Sequence, residues 1–152
     1  MTIDGFVKQL CEHCGVDPEV IDVQMEDQGD TIVVTLNLPE EDSGRFIGFH
    51  GETLESMQRV VRIIFSTEYP EKKILLNINN YREEREVKLK ELTQTAAQRV
   101  LESGQPYRFQ SYLPAHERFI IHSTLSELPD SDKLESVSEG DGKDRRLSIR
   151  LK

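Results

Sequence analysis

Tryptophan is absent from these 152 residues, and cysteine occurs only twice. Two cysteines cannot staple a domain of this size. That excludes a disulfide scaffold and makes a reducing, cytoplasmic setting the default. No stretch approaches 18 uninterrupted apolar residues, which excludes a helical membrane span. No basic segment leads into an apolar run at Met1-Thr2-Ile3-Asp4, so no signal peptide is expected. Internal repeats and low-complexity tracts are missing too. Cations are scarce: 19 Lys and Arg stand against 28 Asp and Glu, a net charge of −9. Such a balance speaks against general attraction to polyanions, whose phosphates draw Lys and Arg.

The acidity is unevenly placed. Residues 1–80 carry 6 Lys and Arg against 15 Asp and Glu, a net of −9, while residues 81–152 carry 13 of each. A local basic surface therefore remains open to the second half. Apolar residues make up 36% of the chain and recur periodically, so a folded protein is expected.

Ile3, Phe6, Val7, Leu10, Cys11 and Cys14 have the spacing of a helix with one buried face, capped by Thr2 and ended at Gly15. Both thiols fall on that face. Ile21, Val23 and Met25 alternate with polar residues, as do Ile32, Val34, Leu36 and Leu38. The turn Asp27-Gln28-Gly29-Asp30 joins them into a hairpin. A short helix is expected over Glu40 to Ile47. A second follows, with Leu54, Met57, Val61 and Ile64 inward and Val60 and Phe65 beside them. Ile74, Leu76 and Ile78 form a third strand. The second half starts without a linker. Asn80 caps a helix that runs to about Ser103 and buries Val87, Leu89, Leu92, Ala96 and Val100. A strand over Tyr107 to Leu113, a helix from Ala115 to Leu125 and a hairpin of Leu134 to Ser138 with Arg146 to Leu151 complete the chain.

One motif interrupts the first half: Ile47-Gly48-Phe49-His50-Gly51-Glu52-Thr53-Leu54. Two glycines between helices permit a tight turn and let a phosphate backbone approach without a Cβ in the way. The next helix aims free N–H groups at the same space. A GxxG alone also fits a plain helix–helix turn. Set after a hairpin and before a third strand, it resembles a type II KH domain (α-β-β-α-α-β), whose GxxG loop clamps about four nucleotides. KH loops commonly hold a Lys or Arg between the glycines. Here Phe49 and His50 stand there, and a neutral imidazole is a weaker phosphate contact than a full cation. Phe49 offers a stacking face for a base or an apolar contact for a protein. Arg45, Arg59 and Arg62 are the nearby cations, and Arg59 and Arg62 are equally readable as solvated helix charges.

A second motif lies in Leu113-Pro114-Ala115-His116-Glu117-Arg118-Phe119-Ile120-Ile121-His122. Arg118 and His122 are four apart and share one helix face. The pair resembles the signature of the Arg-x-x-x-His (R-3-H) domain, a small α/β module associated with single-stranded nucleic acid. Ser136-Val137-Ser138-Glu139-Gly140 and Arg145-Arg146 resemble it as well. An Arg fork can take a phosphate bidentately, and a nearby His adds a donor. The bland alternative pairs Arg118 with a carboxylate such as Glu117 or Asp144. Strand alternation turns Arg108, Gln110, Tyr112, Arg146, Ser148 and Arg150 away from a core built on Tyr107, Phe109, Leu113, Leu147, Ile149 and Leu151. If those strands are neighbours, the outward face mixes cations with a tyrosine.

Two patterns mislead. Cys11-Glu12-His13-Cys14 has zinc spacing but no second pair to complete a site. His116-Glu117 begins a metalloprotease motif whose second histidine is replaced by Ile120. No catalytic constellation, cofactor site or metal site is expected, and the chain is not expected to be an enzyme.

A KH-like domain over residues 1–80, followed directly by an R-3-H-like domain over 81–152, gives an α+β fold. The combination resembles the bacterial Jag family, the proteins associated with the YidC/SpoIIIJ membrane insertase. Members often carry an N-terminal Jag-N domain and a linker. This chain begins at the KH domain, so functions tied to that extension are not expected of it. Tyr112-Leu113 stands where the family more usually has Pro-Met. The resemblance implies a cytoplasmic binder of single-stranded RNA, with single-stranded DNA as second candidate. It also implies post-transcriptional or RNA-chaperone roles in elongation, division or sporulation, a small single-KH partner and a peripheral link to YidC. On that basis the nucleic-acid contacts fall to Ile47, Gly48, Phe49, His50, Gly51, Arg45, Arg59, Arg118, His122, Arg108 and Arg146. Aspartate at positions 50 and 51 is expected to weaken binding without unfolding. The alternative is a protein-interaction adaptor whose degenerate KH loop does not bind RNA.

Overall fold

The computed structural model describes residues 1–152, which divide into two compact units, Met1–Arg82 and Glu83–Lys152.

In the first unit α1 (Ile3–His13) starts at Thr2, whose hydroxyl accepts the Gly5 N–H at 3.3 Å. It buries Ile3, Val7 and Cys11, which repeat every fourth residue. Cys14 departs from expectation. It is the C-cap, beyond the last helical turn, and it is exposed. Burial, aided by the neighbouring Cys14, pushes the Cys11 thiol up to about 11. A thiol titration of native protein is therefore expected to count one rapidly reacting cysteine and, after denaturation, two.

Strands β1 (Asp22–Asp27), β2 (Thr31–Asn37) and β3 (Lys73–Ile78) form one sheet in the order β1-β2-β3. The β1–β2 pair is an antiparallel hairpin and β2–β3 is parallel. Parallel pairing needs a crossover, which α2 (Glu40–Ile47) and α3 (Glu52–Phe65) supply. Central β2 buries Ile32, Val34 and Leu36, as its alternation predicts. Edge strand β1 does not follow its own: Val23 is half-buried and Met25, near the hairpin end, is exposed.

Helix α3 buries Leu54, Met57, Gln58, Val61 and Phe65. Ile64, expected inside, is exposed with Val60 and Ile63. The inward stripe passes through Gln58 because its amide is needed there. Gln58 Oε1 accepts the Leu76 N–H at 2.8 Å and Arg82 Nη2 at 3.0 Å. Along the same free edge of β3, Ile74 O accepts Arg62 Nε at 2.7 Å and Leu76 O accepts Arg82 Nε at 3.0 Å. Asn77 Oδ1 accepts the Ile78 N–H. Side chains thus occupy backbone groups that an open edge would offer to another strand.

Helix α4 (Tyr81–Ser103) supplies Leu89, Thr93, Ala96, Ala97 and Val100 to the second core. Val87 and Leu92 are exposed, contrary to expectation. The buried stripe follows 89, 93, 96 and 100, and Thr93 joins it by donating its hydroxyl to Leu89 O at 2.7 Å. A three-stranded antiparallel sheet has the order β4-β6-β5, from β4 (Tyr107–Arg108), β5 (Leu134–Glu139) and β6 (Arg146–Leu151). The strand expected to reach Leu113 stops at Arg108. Phe109 still donates to Leu147 O at 2.9 Å, and the chain then turns away toward Pro114. Phe109 and Leu113 remain buried, whereas Leu151 is exposed. Helix α5 (Ala115–Glu127) follows Pro114 and buries Ile121 and Leu125. Glu117 is fully buried beside them and is gripped by Arg85, Nε to Oε1 at 2.7 Å and Nη2 to Oε2 at 3.0 Å.

Candidate nucleic-acid interface

Between α2 and α3 the backbone passes through three positive-φ residues. Gly48 has φ 73° and ψ −176°, His50 φ 52° and Gly51 φ 80°. The Gly48 combination belongs essentially to glycine. A Cβ there would lie 2.2 Å from Thr53 Oγ1. At Gly51 a Cβ would meet the Tyr81 ring at 3.1 Å. His50 is among the few side chains that tolerate its left-handed backbone. The turn projects Phe49, 63% exposed, with the His50 ring edge-on at 4.0 Å between centroids. Ile47 ends α2 half-buried. The Glu52 N–H that opens α3 donates to Phe49 O, no side chain caps the helix, and its start carries the positive end of the helix dipole.

In the second unit, Arg118 and His122 stand one turn apart on α5. Arg118 pairs with neither Glu117 nor Asp144. Its Nη1 donates to Leu113 O at 2.7 Å, which fixes the guanidinium at the start of the helix. His122 Nδ1 lies 2.8 Å from Ser136 Oγ on β5, and its ring is exposed.

Residues 4–78 match the KhpA/KhpB KH domain family, and residues 87–151 match the R-3-H domain family. The chain belongs to the Jag family. Among relatives, "RNA-binding protein KhpB" of Streptococcus pneumoniae serotype 2 is 31% identical over 117 residues, 76% of this chain and 34% of that protein. The protein of the same name from Clostridium symbiosum is 29% identical over 152 residues, 97% of this chain and 64% of the relative. That from Lactiplantibacillus plantarum is 28% identical over 119 residues, covering 78% and 36%. The chain spans about a third of the length of the first of these. No helix is long and apolar enough to cross a membrane.

The other expected contacts are differently placed. In the KH domain Arg45 is spent internally, Nη1 on Cys14 O at 3.1 Å and Nη2 on Asp42 at 2.6 Å. Arg59 is exposed on α3 and makes no ion pair. In the R-3-H domain β4 and β6 are neighbours, with Arg108 opposite Ser148. Arg108 is exposed, but Arg146 is committed to Gln110 O at 3.0 Å and Lys143 O at 2.7 Å. Arg150 is paired with Glu135. Ser136, the partner of His122, stands opposite buried Ile149, whereas Arg108 stands opposite Ser148, the next residue along. Alternation therefore puts Arg108 and Arg146 on the sheet face opposite the one that meets His122. The structure adds a residue that the pattern Phe119-Ile120-Ile121 concealed as core. Phe119 is 69% exposed, three residues before His122, and offers a stacking face beside it.

Proposed function

We propose that this chain is a non-enzymatic, cytoplasmic binder of single-stranded RNA, with the KH turn as its principal contact. The observation that carries the proposal is the Gly48-to-Gly51 turn. Its backbone excludes a Cβ at Gly48, and no side chain caps the helix that follows it. Backbone N–H groups bind phosphate without needing sequence-specific side chains, which offsets the missing cation in the loop. Arg118, His122 and Phe119 form the contact of the R-3-H domain, and Arg108 is a free cation on a separate face. A small single-KH protein is the proposed partner. The matched KH family spans both KhpA and KhpB, and that name supports this choice. Roles in elongation, division or sporulation, and contact with YidC, rest on the family resemblance.

His50→Asp keeps a residue type that accepts a left-handed backbone and places a carboxylate where phosphate would lie. Its affinity for a labelled RNA in an anisotropy titration is expected to fall by about tenfold, and wild-type affinity to fall as salt rises. The expected neutrality of aspartate at position 51 does not survive the structure. Gly51 has positive φ and the Tyr81 ring beside it, so that change strains the fold. Affinity unmoved by both His50→Asp and salt would favour the adaptor, for which exposed Val60, Ile63 and Ile64 on α3 supply an apolar surface.

A further inference from the structure

Only six Lys and Arg occur in the first 80 residues, and three of them converge. Arg62, Lys72 and Lys73 line a cavity of about 300 Å³ together with Ser66, Tyr69, Pro70 and Ile74. No Asp or Glu lines it. In a half-chain with a net charge of −9, such a cluster does not act by long-range attraction. It recognises an anion on contact.

The cations are already positioned. Arg62 spends only Nε, on Ile74 O at 2.7 Å, and both Nη groups remain for a ligand. Lys72 is held by Asp27 across the sheet, and its hydrogen bond keeps the Asp27 carboxyl below the usual carboxylate range. Lys73 is exposed, with no partner for its ammonium. The half-buried Tyr69 ring packs on the core and forms a fixed wall. A guanidinium with two free donors beside an unpaired ammonium suits a phosphate, which takes the Arg fork bidentately.

The cavity lies at the C-terminal end of α3 and the KH turn at its N-terminal end. Eleven residues of helix run from Glu52 to Arg62, about 16 Å at 1.5 Å per residue. Arg59, exposed and unpaired, stands on the helix between. We propose that the Arg62–Lys72–Lys73 cavity is a second phosphate site for the single strand held at the KH turn. The proposal rests on the RNA-binding reading and extends the strand's path along α3 beyond the four nucleotides a KH loop clamps.

The test is an anisotropy titration of the full chain with single-stranded RNAs of four and twelve nucleotides at several salt concentrations. Wild type is expected to bind the longer strand more tightly. Lys73→Glu is expected to lower that affinity by about tenfold and to make the salt dependence shallower by about one counterion. It should leave the four-nucleotide strand unaffected. The Lys73 side chain has no internal hydrogen bond or ion pair to lose, and Lys73→Gln should shift affinity in the same direction by less. Unchanged binding of the longer strand by Lys73→Glu overturns the second site and leaves the KH turn standing. A length-dependent gain removed by Arg118→Ala but not by Lys73→Glu assigns that gain to the R-3-H domain and also overturns it. Wild type that binds neither strand overturns both readings. If Lys73→Glu abolishes binding of a polyglutamate peptide and leaves RNA affinity intact, the cavity is a protein contact and not a phosphate site.

Discussion

Gly48→Ala is expected to destabilise the first unit by about 3 kcal/mol and to remove the proposed RNA binding with it. Two costs combine. The backbone at φ 73° and ψ −176° is one that an L side chain resists. The new methyl would also sit 2.2 Å from Thr53 Oγ1 and 2.9 Å from the Thr53 backbone nitrogen. The side-chain clash could be relieved by rotating Thr53, but the nitrogen belongs to the first turn of α3 and cannot move alone. For a unit of this size, about 3 kcal/mol corresponds to a fall in melting temperature of roughly 12 °C or more. Thermal unfolding followed by circular dichroism reads it directly. An unchanged midpoint would show that the turn reaches another conformation freely, and it would remove the structural basis for calling it a preformed phosphate cradle. Gly51→Ala should cost less, because its neighbour is a ring edge at 3.1 Å.

In the second unit the largest effect is expected from Arg85→Ala. Glu117 is fully buried, and Arg85 meets both of its carboxylate oxygens. Removing the cation leaves a charge with no water to solvate it, at a cost of about 3–5 kcal/mol. Glu117→Gln should cost less, since the amide still accepts a hydrogen bond and the remaining guanidinium is partly exposed. Replacing both partners, Arg85→Met with Glu117→Leu, should recover much of the loss. Denaturant titrations of the four proteins supply the comparison. A double variant no more stable than Arg85→Ala would mean that α5 needs the polar clamp for its position and not only for charge balance.

The element order, the two glycines and the Arg-x-x-x-His spacing were legible because each rests on local chemistry: caps, periodicity and turn residues. What escaped was decided by partners distant in sequence. Gln58 is buried in place of Ile64 because the edge of β3 needs its amide, and no apolar pattern announces that. Thr93 displaces Leu92 because a hydroxyl can return its hydrogen bond to its own helix. The segment after Tyr107 alternates like a strand, yet pairing lapses after Arg108 and Arg146 instead reaches Gln110 O. Arg45 and Arg146 looked like free cations, since a sequence does not disclose which carbonyls lie within reach. The Arg62–Lys72–Lys73 cavity joins two segments, and neither carries a recognisable motif.

Tyr81 and Arg82 stand past the last strand of the KH fold, yet that fold leans on both. Arg82 closes Leu76 O, Gln58 and Glu55, and the Tyr81 ring backs Gly51. The stretch that matches the KH family ends at residue 78, while the compact unit ends at Arg82. Inheritance and folding therefore draw the border of this module in different places. A gene fragment cut at 78 would carry every family position and still leave Leu76 O open on the edge of β3. Four more residues shut it. Any rearrangement that moves this domain into a new protein must carry those residues along, or find another arginine to stand where Arg82 stands.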